Sequence, residues 1–112
     1  MAAKDHRLYL LHIQECCEKI LDYTRELGAE WPTSPVLVDA VCRNIEIIGE
    51  AANRLDPEYR QAHPDVPWRS LINTRNLLIH AYDQVNPAVL GGIVERDVPE
   101  LAEAVRRLLG RM

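Results

Sequence analysis

Phenylalanine is absent from these 112 residues, and aromatic side chains make up only 5% of the chain. That scarcity argues against the clustered aromatic platforms on which single-stranded nucleic-acid binders stack successive bases. Cysteine is scarce and odd in number: Cys16, Cys17 and Cys42 lack the CxxC or Cys/His spacing of a zinc site and read as reduced core thiols. No apolar run approaches the length of a membrane span and no charged-then-apolar leader opens the chain, so a cytosolic protein without membrane contact is expected. A basic surplus is missing as well. The net charge of −4 argues against a broad, non-specific coat of nucleic acid and confines any such contact to a local patch. No segment alternates with period two, and neither low complexity nor a repeat is visible, which leaves little room for a β-sheet or a solenoid.

What is present is a soluble aliphatic composition, 47% apolar and 27% charged. By length, residues 1–112 form a single domain, able to bury roughly two-thirds of the surface that the unfolded chain exposes. Asp5 caps a first helix with apolar positions Leu10, Ile13, Cys17, Ile20, Leu21 and Leu27, running to about Gly28. After a short Trp31-Pro32 link, Ser34 and Pro35 open a second helix whose buried stripe is Leu37, Val41, Ile45, Ile48, Ala52 and Leu55. The same cap-then-proline device recurs at Asp56-Pro57 and Asn86-Pro87. A further helix is predicted from about Pro67 to Ala81, and the last one should kink or break near Val98, where Asp97 and Glu100 could form a capping box. His6, His12 and His63 have no ligand spacing and are expected at the surface, with Trp31 and Trp68 as lids on the core. Long helices joined by short links predict an all-α, antiparallel four- to five-helix bundle.

Against the acidic background, the stretch from Val66 to Tyr82 contains no acidic residue, so local charge there favours an anionic ligand. At about 100° per residue, Trp68, Leu71, Ile72, Leu78, Ile79 and Tyr82 share one arc of the helix, with Arg75 at its centre. A guanidinium in that place needs a carboxylate, a phosphate or a subunit partner, because an unpaired buried charge costs several kcal/mol. Arg69, Asn73, Asn76 and His80 form a separate polar arc, on which the Asn76 amide could orient the His80 imidazole or hold a phosphate. Arg75 and His80 lie about 140° apart on an ideal helix. Helix-end distortion, the reach of arginine, or a two-fold pairing of these helices could bring them together, and the pairing would also cover the apolar arc.

The chemistry that suits these groups is metal-independent RNA cleavage. His80 would take the proton of a ribose 2′-hydroxyl while Arg75, with its planar fork, stabilises charge on the phosphorane-like transition state. A cyclic phosphate would remain, and because DNA lacks the internal nucleophile, RNA is the substrate class. Metal-dependent cleavage needs clustered carboxylates, and only Asp83 is near in sequence, so no metal ligands and no cofactor are expected. Asn76 and Arg69 are supporting contacts.

Arg75, His80 and Tyr82 resemble, in type and spacing, the R-X4-H-X-Y signature of the HepT-type toxins within the HEPN superfamily. Arg43-Asn44-Ile45-Glu46-Ile47-Ile48-Gly49-Glu50-Ala51, Val66-Pro67-Trp68-Arg69 and Asp97-Val98-Pro99-Glu100-Leu101 are also similar to segments of that family, in the same order. The resemblance implies a homodimeric helical ribonuclease toxin acting on tRNA or mRNA, with an active site at the dimer interface built from both copies of the motif. It further implies a type VII-like pairing with an antitoxin, a minimal nucleotidyltransferase of the MntA type, which in some members silences the toxin by adenylylating the motif tyrosine, here Tyr82. A plainer reading stands beside each assignment. Arg75 could form an ion pair inside the bundle with Glu46 or Glu50, two residues otherwise assigned to an interface or a capping network. Tyr82 could fill the core, and the whole chain could be a noncatalytic helical module that presents a substrate to a nucleotidyltransferase.

Overall fold

A computed structural model describes residues 5–81, 83 and 85–112, and every regular element among them is helical. Helix α1 (His6–Arg25) starts where the Asp5 carboxylate accepts the Leu8 N–H at 3.0 Å. Leu10, Ile13, Cys17 and Ile20 follow on its buried face at steps of three and four. The helix ends before the expected Gly28, which takes φ 54° in the left-handed region, and the expected link is an ordered 3₁₀ segment, Gly28–Thr33. Leu27 falls beyond the last helical turn and is therefore exposed, outside the stripe to which periodicity assigned it.

Helix α2 (Pro35–Arg54) begins with the Ser34 hydroxyl accepting from Leu37 N–H and Pro35 in the first turn. Its buried Val41, Ile45, Ile48 and Ala52, with Leu55 just past its end, match the expected stripe. Helix α3 (Pro57–Ala62) starts at Asp56, whose carboxylate does not cap it but meets His6 Nε2 at 3.1 Å. His6, Tyr59 and His63 stack in a row, with ring centroids 4.3 and 4.6 Å apart. These two histidines are thus half-buried rather than free on the surface, and His12 is half-buried too.

Helix α4 (Trp68–His80) follows a loop in which the Trp68 indole N–H donates to the His63 carbonyl at 2.9 Å. Helix α5 (Pro87–Gly92) passes through a π turn (Ile93–Asp97) into α6 (Val98–Gly110). The interruption expected near Val98 takes this form, a widened turn rather than a break. Pro99 sits in the first turn of α6, directly after the widened turn, which accommodates a residue with no N–H to donate within a continuous helical run. Asp97 is itself helical, with φ −74° and ψ −40°, and caps nothing, so the predicted capping box does not form.

The all-α bundle is built in the order α4, α2, α1, α6: α4 packs on α2, α2 on α1, and α1 on α6. The α5–π–α6 run acts as a fourth rod and α3 as a short fifth piece. Trp31 and Trp68 close the core at 3% and 6% exposure, a burial that leaves their rings structural. Cys16 and Cys17 are buried free thiols and Cys42 is half-buried. Desolvation raises all three above the ordinary thiol range, Cys17 to about 12, so none is a ready thiolate nucleophile near neutral pH. No helix among the described residues is long and apolar enough to cross a membrane.

Candidate active site

A glycine in mid-helix costs about 1 kcal/mol relative to alanine, and Gly49 in α2 has a specific use. A Cβ there would collide with the Arg75 Cβ and come within 2.8 Å of the Leu71 carbonyl oxygen. Only a bare backbone lets α4 approach this closely. The crossing lays the Arg75 stem against α2 and brings its guanidinium to the next residue, Glu50.

Arg75 Nη2 donates to Glu50 Oε2 at 2.8 Å, and Arg54 Nε donates to Glu50 Oε1 at 3.0 Å. Arg75 Nη1 donates to Asn76 Oδ1 at 2.7 Å. One carboxylate thus serves two guanidinium groups, which leaves a net positive charge at the crossing even after pairing. Of the two glutamates suggested as partners, Glu50 holds Arg75, while Glu46 faces Arg43 on its own helix at 3.4 Å. The Arg75 side chain stays 27% exposed. Its Nε is buried and has no hydrogen-bond partner among the described residues. An unmade bond at a buried donor costs about 1–3 kcal/mol, so Arg75 is positioned by its two terminal nitrogens at some cost at the third.

His80 is the last residue of α4 and is exposed. The helix stops there because Ala81 leaves helical geometry, with φ −141°, while its N–H still bonds to the Leu77 carbonyl at 2.8 Å. On the polar arc, Arg69 and Asn73 are also exposed, and Asn76 is half-buried. The Asn76 oxygen serves Arg75, so the amide expected to orient His80 bridges the two groups in angle instead, lying about 100° round from Arg75 and 40° from His80. On the apolar arc, Trp68 and Leu78 are buried and Leu71 and Ile72 half-buried, but Ile79 is 42% exposed; Leu77, about 160° round the helix from Ile79, is 46% exposed. Two large aliphatic side chains therefore flank His80 in the open. Tyr82 lies outside the described residues.

Gly49 and Arg54 are the site residues that sequence reasoning missed. Each left a signal: a glycine interrupting an otherwise good helical stripe, and an arginine one turn after Glu50 at ion-pair spacing. Among the described residues no group of three or more His, Cys, Asp or Glu side chains is placed to hold a metal ion.

Residues 13–108 match the family model described as "Ribonuclease HepT-like". The chain is 37% identical over 110 residues to "Probable ribonuclease HepT" of Thermococcus cleftensis, covering 94% of this chain and 96% of that protein. It is 36% identical over 107 residues to a "Putative RNase" of Caldanaerobacter subterraneus subsp. tengcongensis, covering 95% and 96%. It is also 37% identical to a "Gamma-glutamylcyclotransferase and putative RNase" of Methanocaldococcus jannaschii, of whose length it spans 48%. No solved structure matches. With most of its length inside the family model and the Thermococcus and Caldanaerobacter relatives aligned nearly end to end, the chain belongs to the HepT-like ribonuclease family.

Proposed function

We propose that this protein is a metal-independent endoribonuclease toxin whose active site is completed when two copies pair. The observation that carries this reading is a guanidinium held in place by Glu50 and Asn76, on an acid-free helix that ends in an exposed histidine. His80 removes the 2′-hydroxyl proton of a ribose; the freed oxygen attacks the adjacent phosphorus; Arg75 stabilises the charge gathering on the non-bridging oxygens. The bond to the 5′-oxygen of the next nucleotide breaks, that oxygen takes a proton from solvent or from the second copy's protonated imidazole, and a 2′,3′-cyclic phosphate remains. Glu50 positions Arg75 without touching RNA. Asn76 and Arg69 contact the strand, and Glu46 belongs to the surrounding interface.

Pairing is supported by Leu77 and Ile79, which stand exposed on either side of His80 and would be covered by a second α4. A two-fold contact there sets two imidazoles near two guanidinium groups and closes the angular gap between Arg75 and His80. The natural partner is a nucleotidyltransferase of the MntA type, acting as antitoxin. Adenylylation of Tyr82, two residues beyond His80, would place an anionic nucleotide in the pocket and repel RNA by bulk and by charge.

The test is cleavage of total tRNA and of mRNA by purified protein in excess chelator. The parent should produce fragments ending in cyclic phosphate, and His80→Ala and Arg75→Ala should each abolish them. Parent-like cutting by both variants would remove the assignment. A second reading draws on the Arg75–Glu50 ion pair, which balances the arginine's charge within one chain: a noncatalytic module that binds a nucleotidyltransferase. Such a protein would bind its partner and leave RNA intact. Intact mass after coexpression with the transferase should show one added adenylate, absent in Tyr82→Phe; an unchanged mass in the parent refutes modification.

A further inference from the structure

Beside the catalytic pair, α3 and the first half of α4 enclose an open groove of about 850 Å³ whose lining includes Arg60, Gln61, Arg69, Ile72 and Asn73. Nothing in its lining is acidic, although the chain as a whole carries a net charge of −4. Among the described residues neither Arg60 nor Arg69 forms an ion pair; Arg7, Arg96, Arg107 and Arg111 form none either, but only Arg60 and Arg69 share a lining that holds no acid. Two uncommitted guanidinium groups on facing elements, above a floor that includes Val66, Pro67 and Ile72, suit a ligand with a regular anionic edge and flat apolar faces.

The groove also points toward the chemistry. Arg69 and Asn73 lie on the same side of α4 as Asn76 and His80, at steps of four, three and four residues. From Arg69 to His80 the helix rises ~16 Å, room for a few nucleotides of single strand. We infer that this groove is the track for the RNA strand flanking the cleaved phosphate, with Arg60 and Arg69 binding its backbone phosphates and Gln61 and Asn73 its sugars or base edges. The aromatic residue in the lining, Trp68, is buried at 6% exposure with its indole N–H committed to the His63 carbonyl, so the track grips backbone without selecting bases by stacking. The inference rests on the ribonuclease reading of Arg75 and His80, and it assigns to α3 a role beyond packing.

The experiment measures cleavage kinetics on a dinucleotide and on a 12-nucleotide single strand, together with fluorescence anisotropy of the same 12-mer carrying 2′-O-methyl groups, which binds but cannot be cut. Arg60→Glu and Arg69→Glu should raise KM for the 12-mer about tenfold or more and flatten its salt dependence by about 0.7 in log–log slope for each phosphate left without its arginine. The dinucleotide, too short to reach α3, should show no such rise with Arg60→Glu. Arg60→Gln and Arg69→Gln, which remove charge without reversing it, should give smaller shifts in the same direction, and circular dichroism confirms folding. If the parent cuts RNA and the four variants keep its KM and salt slope on the 12-mer, the groove assignment is overturned while the ribonuclease reading stands. If the parent never cuts but binds the 12-mer through these arginines, the groove is an RNA-binding surface only, and its role as the track to a cleaved phosphate falls with the catalytic reading. A parent that neither cuts nor binds refutes both.

Discussion

Helices α4 and α6 are each 13 residues long, yet α6 buries Val98, Leu101, Ala104, Val105 and Leu108 where α4 buries only Trp68 and Leu78. The outward face of α6 is solvated charge, including the Glu103–Arg106 pair at 2.6 Å. The outward face of α4 carries Arg69, Asn73 and His80 together with the exposed aliphatics Leu77 and Ile79, and no acid. A helix whose apolar side chains are all absorbed by the core is structural. One that keeps apolar and cationic groups outside has surface left for a ligand and a second subunit.

Substitutions can break this contrast. The largest effect is expected on catalysis at α4: His80→Ala should lower the RNA cleavage rate roughly 100- to 10,000-fold, while the thermal midpoint stays near the parent's because the imidazole is exposed. In α6 the balance should reverse. Leu108→Ala, at 3% exposure in the parent, should cost about 2–5 kcal/mol in denaturant unfolding, with cleavage per folded molecule retained. Gly49→Ala sits between the two kinds of effect. A methyl group against the Leu71 carbonyl and the Arg75 stem forces α4 away from α2, an overpacking cost of about 1–3 kcal/mol, and moves the guanidinium so that kcat falls more than KM rises. Unchanged stability and kcat in Gly49→Ala would show that the close crossing positions nothing. Removing charge from the exposed Glu103–Arg106 pair, as in Arg106→Gln, should change neither the melting temperature nor cleavage to a measurable degree, since exposed pairs contribute little. A clear loss of activity there would mean that α6 also belongs to the functional surface.

Much of the fold was legible because the chain marks its own boundaries. Asp5, Ser34 and Asn86 cap their helices as their residue types predict, and the α2 stripe is buried nearly as periodicity places it. Local rules failed where a long-range contact took over a residue. Asp56 looks like a cap but turns to His6 in α1, and His6 acquires Tyr59 as a ring neighbour only once α3 has docked, whereas the Tyr59–His63 contact is local to α3 and its C-cap. Asp97 could not cap because the π turn carries the helix through it. At the site, the centring of Arg75 among apolar neighbours announced that it needs a partner, and the charged face of α2 offered Glu46 and Glu50 without choosing. The choice is made by Gly49, whose missing side chain fixes where α4 crosses, and a helical wheel holds no information about crossings. The groove between α3 and α4 was hidden for the same reason, since Arg60 and Arg69 share no element.

The most direct test of a site assembled from two copies is complementation. Arg75→Ala and His80→Ala, each inactive alone, would be coexpressed with different tags and the mixed dimer isolated. A pocket drawing its guanidinium from one copy and its imidazole from the other predicts one intact site in that dimer, and hence RNA cleavage at about half the parental rate per dimer. A mixed dimer as inactive as either variant, or a parent protein that cuts RNA while remaining a monomer, would contradict the account.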